Sequence, residues 1–151
     1  MEDSVKRHLI ADVEVGSFLS SGIDSSYIVS LAKPDKTYTV GYENKKYDEI
    51  NYAKDLADKL GIKNESKIIK KDEYLDAIPK IMYHLDEPTS DPAAISLYFV
   101  AKLASRDLKV VLSGECADEI FGGYPWFYKK ELYSLDAFPW IRAVSYTHLT
   151  L

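Results

Sequence analysis

Apolar positions along this chain fall into short groups separated by polar, glycine-containing or proline-containing segments. Compact runs of apolar and β-branched residues predict strands, and apolar residues spaced three or four apart predict helices. Strands that alternate with helices are typical of an open α/β fold, in which helices cover both faces of a parallel sheet. The predicted strands are residues 13–19, 37–40, 66–69 and 109–112, and the predicted helices are residues 25–32, 49–60, 72–84 and 93–104.

Individual residues refine this pattern. Gly61 follows the second predicted helix at the position of a glycine C-cap, and Pro79 is expected to bend or break the third. Ligands of open α/β sheets bind beyond the carboxyl ends of the strands. The loops that follow Leu19, Val40 and Leu112 are therefore expected to share one crevice.

Length and composition are those of one ordinary globular domain. The 151 residues are 46% hydrophobic and 28% charged, with a mean hydropathy of -0.22. The net charge of -5 argues against binding to a nucleic acid backbone. Cys116 is the single cysteine, so no internal disulfide can form and a reducing compartment is expected. No apolar run approaches the roughly 20 residues of a membrane span. We therefore expect a cytoplasmic protein whose partners include neither nucleic acid nor membrane.

The loop after the first strand, residues 19–26, has the composition of an anion site. Small residues let backbone N–H groups approach an anion, and the N-terminus of the next helix adds partial positive charge. The loop lacks the Gly-Lys-Ser/Thr ending of a Walker loop and the spaced glycines of a dinucleotide site. Asp24 would repel phosphates unless it holds Mg²⁺ that bridges to them. The alternative is a plain helix cap with Asp24 as the N-cap residue.

A second cluster occupies residues 113–124 and follows the last predicted strand directly. A helix over residues 117–121 would place Glu115 at its mouth and Asp118 in its first turn. Acidic residues that stabilise a helix N-terminus are the alternative explanation. The Ser-Gly before the carboxylates and the Gly-Gly after them fit that alternative less well. We interpret Cys116 as a filler residue and not as a nucleophile.

Together the two loops resemble the asparagine synthetase family of PP-loop ATP pyrophosphatases. The family motif Ser-Gly-Gly-x-Asp-Ser corresponds to residues 20–25, and Ser-Gly-Glu-x-x-Asp-Glu-x-Phe-Gly-Gly-Tyr corresponds to residues 113–124. Ser21 stands where the first motif has a glycine, a change that we expect to be tolerated unless the position needs a positive φ. The resemblance runs from about Val13 to about Lys130. It implies a truncated PP-loop ATP pyrophosphatase sheet, which is adenine nucleotide α-hydrolase-like.

The resemblance implies a ligase reaction that uses ATP and Mg²⁺. The β-carboxylate of aspartate would attack ATP to form β-aspartyl-AMP and pyrophosphate, and ammonia would then displace AMP to give asparagine. Asp24 and Asp118 would bind Mg²⁺, Asp118 would also count as catalytic, and Glu115 would position or deprotonate the amine. The residues that would hold pyrophosphate or adenosine are Phe18, Leu19, Ser20, Ser21, Gly22, Asp24, Ser25, Val40, Gly41, Ser113 and Gly114.

The resemblance also implies a domain organisation. Residues 1–142 are expected to be part of a synthetase domain, and residues 143–151 a tail of doubtful origin. The family's glutaminase domain begins with a nucleophilic cysteine at position two, where this chain has Glu2. That domain, which supplies ammonia from glutamine, is therefore expected in the parent protein and not in this chain. A homodimer stays open.

Three alternatives to an active asparagine synthetase stay open. The chain could be a truncated, inactive fragment or a stand-alone Mg-ATP-binding module. It could also come from another amide-forming PP-loop adenylating enzyme, such as a β-lactam synthetase.

Overall fold

The computed structural model of the chain describes residues 1–43, 49–86, 91–124 and 127–128. The chain divides into two compact units, Met1–Gly114 and Glu115–Leu151. The strands of the first unit are β1 (Val15–Phe18), β2 (Lys36–Tyr42), β3 (Lys63–Ile69) and β4 (Val110–Leu112). Its helices are α1 (Glu2–His8), α2 (Ile23–Ala32), α3 (Ile50–Leu60), α4 (Lys71–Leu85) and α5 (Ala93–Ala104). The described part of the second unit contains α6 (Ala117–Phe121).

The four strands form a parallel sheet in the order β3-β2-β1-β4. Ser17 lies in the middle of this sheet, where it pairs with Thr37 on one side and Leu112 on the other. Because all strands run in one direction, the segments that follow β1, β2 and β4 emerge at the same edge, as predicted. The strand order reverses between β1 and β4, so the ends of these two strands flank the switch point at which such sheets bind ligands.

Helices cover both faces of the sheet, which confirms the predicted fold class. On one face of β2, Tyr38 packs in a cluster with Val100 and Leu103 of α5. On the other face, a Cβ added to Gly41 would lie 2.9 Å from side-chain atoms of Ile50 in α3. Gly41 therefore lets α3 approach the sheet closely.

The core divides into clusters that join the helices to these faces. One cluster joins α2 and α3 to the end of β1 and consists of Leu19, Val29, Ala53, Ala57 and Ile62. Another cluster joins α4, α5 and β3 and consists of Ile69, Ala77, Ile81, Ile95 and Phe99. Full burial of each large apolar side chain contributes about 1.5–3 kcal/mol, so these contacts fix the helices that carry the loops.

Most element boundaries agree with the sequence prediction, with three corrections. Helix α2 begins at Ile23 with Gly22 as its N-cap, so the alternative with Asp24 as N-cap is wrong. Strand β3 begins at Lys63, three residues before the predicted start, because its polar first half pairs with β2. Helix α4 continues through Pro79, so the predicted break is absent. Gly61 ends α3 with φ 71°, as its C-cap position predicted.

Helix α1 was not predicted from the sequence, although a signal for it exists. The Lys6 ammonium lies 2.7 Å from the Glu2 carboxylate, and Arg7 Nε lies 2.9 Å from the Asp3 carboxylate. These are i,i+4 pairs with the acidic residue first, which is the favourable order for an exposed helix. Apolar periodicity misses this helix because Val5 is its single buried residue.

Candidate functional site

The loop between β1 and α2 is organised by its own serine side chains. The Ser20 N–H donates to Ser25 Oγ at 3.1 Å, and the two serine Oγ atoms lie 2.9 Å apart. The Gly22 N–H donates to Ser20 Oγ at 3.1 Å, and the Ser26 hydroxyl donates to the Gly22 carbonyl at 2.7 Å. Ser25 is buried, and its hydroxyl fixes the conformation of the loop through these hydrogen bonds. The sequence placed Ser25 among the phosphate-holding residues; its contacts give it an organising part in the loop.

The first turn of α2 presents unpaired backbone donors. A helix leaves its first N–H groups without intrahelical partners. Within the described residues, no hydrogen bond engages the N–H groups of Ile23, Asp24 and Ser25. They stand at the positive end of the helix dipole, which is an environment that suits a phosphate. Ser21 is exposed and has no positive φ, so the backbone at this position tolerates serine in place of glycine, as expected.

Gly114 brings the start of the second motif against the first. A Cβ added to Gly114 would lie 2.9 Å from the Ser25 nitrogen, 3.2 Å from Ser25 Cα and 3.3 Å from the Asp24 carbonyl carbon. These are backbone atoms in the first turn of α2, and they cannot move aside as a flexible side chain can. Glycine is required at position 114 because the two backbones are in direct contact. Ser113 precedes it at the end of β4, beside the switch point of the sheet.

The backbone groups expected to hold adenosine lie at the ends of neighbouring strands. The Leu19 N–H donates to the Tyr38 carbonyl at 2.9 Å, and the Thr39 hydroxyl donates to the Leu19 carbonyl at 2.7 Å. Leu19 is therefore fixed between β1 and β2. Phe18 pairs with Tyr38 in the same ladder.

Val40 and Gly41 lie near the carboxyl end of β2. They are opposite Lys67 and Ile68 of β3 in the parallel ladder. Both residues thus occupy the same edge of the sheet as the loop after β1.

In the second unit, the carboxylates of the second motif surround a short helix. Helix α6 spans Ala117–Phe121, as predicted, and Cys116 is its N-cap with φ 67°. Glu115 is exposed at the helix mouth, and Asp118 is half-buried in the first turn. The Tyr124 hydroxyl donates to Glu119 at 2.7 Å, and this hydrogen bond raises the pKa of Tyr124 to about 12. The three carboxylates therefore have different surroundings.

Each of the two motifs supplies a carboxylate, the type of ligand that Mg²⁺ uses together with phosphates. Within the described ranges, no group of three or more histidine, cysteine or carboxylate residues forms a metal site made of protein alone. Mg²⁺ is commonly bound by one or two carboxylates together with substrate phosphates, so Asp24 and Asp118 suit it. No hydrogen bond or ion pair from another described residue engages the Asp118 carboxylate, although its side chain is half-buried. A carboxylate in that state is available as a ligand.

The loop before α5 is described in part. Asp91 Oδ1 accepts a hydrogen bond from the Ala93 N–H at 2.9 Å, so this side chain caps the start of α5. Residues 87–90 and 129–151, which include the tail 143–151, lie outside the described residues. None of the helices in the described ranges is long and apolar enough to cross a membrane.

The sequence analysis missed residues whose hydrogen bonds fix the loops of the candidate site. Thr39 and Ser26 fix the loop after β1, and Tyr124 engages Glu119. For Ser26 a signal was present, because a serine four residues after a glycine at a helix start can bond back to its carbonyl. Thr39 carries no such local signal, since its partner Leu19 is twenty residues away.

Comparison with known proteins identifies the family to which the chain belongs and a solved structure that shares its fold. The profile of the asparagine synthase family matches residues 1–150, a longer span than the motifs alone. Asparagine synthetase [glutamine-hydrolyzing] 1 of Bacillus subtilis is 56% identical over 126 residues, which cover 81% of this chain and 20% of that relative. Asparagine synthetase B of Escherichia coli is 33% identical over 150 residues, which cover 85% of this chain and 27% of that relative.

The chain thus spans about a fifth to a quarter of the length of these curated relatives. Among solved structures, the NH3-dependent NAD synthetase of Campylobacter jejuni superposes with a TM-score of 0.52 at 17% identity. That match covers 82% of this chain and 57% of the other, and it shows a shared fold.

Proposed function

The chain belongs to the asparagine synthase family, and from this premise we propose that it is the ATP-binding part of an asparagine synthetase. The observation that carries the proposal is the contact of Gly114 with the first turn of α2, where an added Cβ would lie 2.9 Å from the Ser25 nitrogen. This contact joins the two motifs at the switch point of the sheet.

The first proposed step is the activation of aspartate. An oxygen of the β-carboxylate attacks the α-phosphorus of ATP, the bond to the bridging oxygen breaks, and pyrophosphate leaves. The loop of residues 20–25 and the free N–H groups of α2 bind the departing phosphates, where negative charge develops. The backbone at Phe18, Leu19, Val40, Gly41, Ser113 and Gly114 holds the adenosine part at the strand ends.

Asp24 and Asp118 would hold Mg²⁺. The ion, when bound, offsets the charge of the leaving pyrophosphate. Asp24 lies in the first turn of α2, so its carboxylate is close to the phosphate-binding N–H groups. Its own negative charge at that position is unfavourable for phosphate binding without a cation.

The second proposed step is amide formation. The ammonia nitrogen attacks the acyl carbon of β-aspartyl-AMP, AMP leaves with the bonding electron pair, and the nitrogen loses a proton. Glu115 stands exposed at the mouth of α6 and would position the amine or accept that proton. Ammonia or glutamine-derived ammonia serves as the nitrogen source, the latter through a glutaminase domain elsewhere in the parent protein. We propose a cytoplasmic location for this chemistry and keep a homodimer open.

A chimera tests this function, because the chain spans only part of its relatives. The segment of the Bacillus subtilis synthetase 1 that matches this chain is replaced by the corresponding residues of this chain. The proposal predicts aspartate-dependent exchange of labelled pyrophosphate into ATP, and loss of exchange in the Asp24→Asn variant. Asp35→Asn is the matched control, because Asp35 is an exposed aspartate outside both motifs.

Each alternative has its own outcome in this test. Exchange that depends on a different carboxylic acid would indicate another amide-forming adenylating enzyme. ATP binding without exchange would indicate a nucleotide-binding module. A chimera that folds but neither binds ATP nor exchanges pyrophosphate would refute the proposal.

A further inference from the structure

The end of the second motif, Gly122-Gly123-Tyr124, has no role in the proposed reaction, and its contacts suggest one. Gly122 ends α6 with φ 71°, a conformation that glycine adopts without strain. Gly123 does not have a positive φ, so its backbone could accommodate an alanine. What glycine provides at position 123 is therefore space and not conformational freedom.

The space at Gly123 is filled by Asp118. A Cβ added to Gly123 would overlap the Asp118 carboxylate oxygen Oδ1 and would lie 2.7 Å from Asp118 Cγ. The Gly123 N–H donates to the Asp118 backbone carbonyl at 2.9 Å, which holds the two residues together. The Asp118 carboxylate thus lies directly over Gly123, in space that any side chain at position 123 would occupy.

The carboxylate of the next residue, Glu119, differs from that of Asp118 in having a hydrogen-bond donor. Glu119 accepts the hydrogen bond of the Tyr124 hydroxyl at 2.7 Å. No described residue engages the Asp118 carboxylate by a hydrogen bond or an ion pair. Of these two adjacent acidic residues, Glu119 thus bonds to a tyrosine, whereas the Asp118 carboxylate has no such bond within the described part of the chain.

We propose that Gly123 is a positioning residue for the Asp118 carboxylate, and that the Tyr124 hydroxyl keeps Glu119 from acting in its place. The inference rests on the proposed function, since it assumes that Asp118 helps to bind the metal–ATP complex. The absence of a side chain at 123 leaves open the position that the Asp118 carboxylate occupies. The motif ending Gly-Gly-Tyr therefore sets which of the two carboxylates remains available to bind a cation.

The test uses the full 151-residue chain with Mn²⁺ as the metal probe. ATP binding is measured by calorimetry with saturating Mn²⁺ and again with a chelator, and the ratio of the two affinities gives the metal dependence. Asp118→Asn and Gly123→Ala are each expected to lower this ratio at least about tenfold, the range seen when outer residues of metal sites are changed. Glu119→Gln, the matched control on the next residue, keeps the parental ratio.

A double-variant cycle separates positioning from misfolding. Gly123→Ala is expected to lower the urea midpoint of the parent chain. In the Asp118→Ala background it lowers the midpoint much less, because alanine at 118 removes the carboxylate that a Cβ at 123 would meet. In the metal assay, Gly123→Ala adds nothing further to Asp118→Asn. This cycle is informative even if Gly123→Ala alone folds poorly, because truncation at 118 removes the carboxylate overlap and leaves the added Cβ against the Cα of residue 118, at 3.1 Å.

The outcomes distinguish this inference from the function on which it rests. A parent chain with Mn²⁺-dependent ATP binding that Gly123→Ala leaves unchanged would overturn the positioning role alone. Additive effects of the Gly123 and Asp118 substitutions would overturn it as well. A parent chain that binds ATP equally with and without Mn²⁺, or not at all, would overturn the metal-dependent function together with this inference.

Discussion

Replacement of Gly114 by alanine is expected to damage the stability of the first unit and ATP binding together. An added Cβ would lie 2.9 Å from the Ser25 nitrogen and 3.2 Å from Ser25 Cα. Real Cβ atoms do not approach backbone atoms this closely, so β4 or the first turn of α2 has to shift. Overpacking of this kind typically costs about 1–3 kcal/mol of unfolding free energy.

The same shift moves the N–H groups proposed to bind phosphate. A loss of about 1.4 kcal/mol in binding free energy corresponds to about tenfold weaker affinity, and we expect at least this effect on ATP. Unfolding in urea, followed by far-UV circular dichroism, gives the stability. Isothermal titration calorimetry with ATP and Mg²⁺ gives the affinity of the same preparation.

Gly61→Ala is the matched control for this substitution. Gly61 has φ 71° and nothing lies within 4 Å of its added Cβ, so alanine there is strained by conformation and not by contact. That strain lowers the free energy of unfolding by about 1 kcal/mol, which is similar to the lower limit expected for Gly114→Ala. Gly61, however, is far in sequence from the loop between β1 and α2. Equal ATP affinities of the Gly114→Ala and parental chains, or equal losses in both glycine variants, would refute the reasoning.

Four further predictions follow from single side chains. Glu115→Ala should abolish amide formation in the chimera yet leave ATP affinity nearly unchanged, and parallel losses of both would contradict its assigned role. Ser25→Ala should cost about 1–3 kcal/mol in urea unfolding because a loop N–H loses its acceptor, whereas the exposed Ser21→Ala should change stability by less than about 0.5 kcal/mol. Burial, followed by a nearby aspartate, raises the pKa of Tyr38 to about 12; the folded state therefore retains the proton longer than the unfolded chain, and stability falls between pH 10 and 12. Tyr38→Phe should make that fall shallower in urea titrations at pH 9 and pH 11, and an identical fall would contradict the assignment. Cys116→Gly should raise the free energy of unfolding in urea slightly, by up to about 1 kcal/mol, because the φ of 67° at Cys116 is strained for cysteine and not for glycine.

Local sequence was sufficient for most of the elements. Helix α5 begins and ends at the predicted residues, and Gly61 occupies the predicted C-cap. Both depend on interactions within a few residues, which a sequence displays directly. Strand β3 was predicted too short because its polar start is held by pairing with β2, and that partner is not visible in the local pattern.

The candidate site divides in the same way. The motifs at residues 20–25 and 113–124 identified the residue types, because phosphate and magnesium chemistry needs small residues and carboxylates in loops. The different contacts that the residues of each motif make were not visible in the sequence. Ser25 organises its loop, Glu119 is engaged by Tyr124, and the Asp118 carboxylate lies over Gly123, and each of these facts depends on where a side chain points.

Periodicity and residue type are local properties, and they were enough to predict the class of fold and the two candidate loops. The position of β4 beside β1, and with it the contact of Gly114 with the first turn of α2, depends on the folded chain as a whole. Ser25 and Gly114 are 89 positions apart. Their contact arises from the parallel crossover connections of the sheet and from the burial of apolar residues on both its faces, neither of which any single segment of the chain specifies.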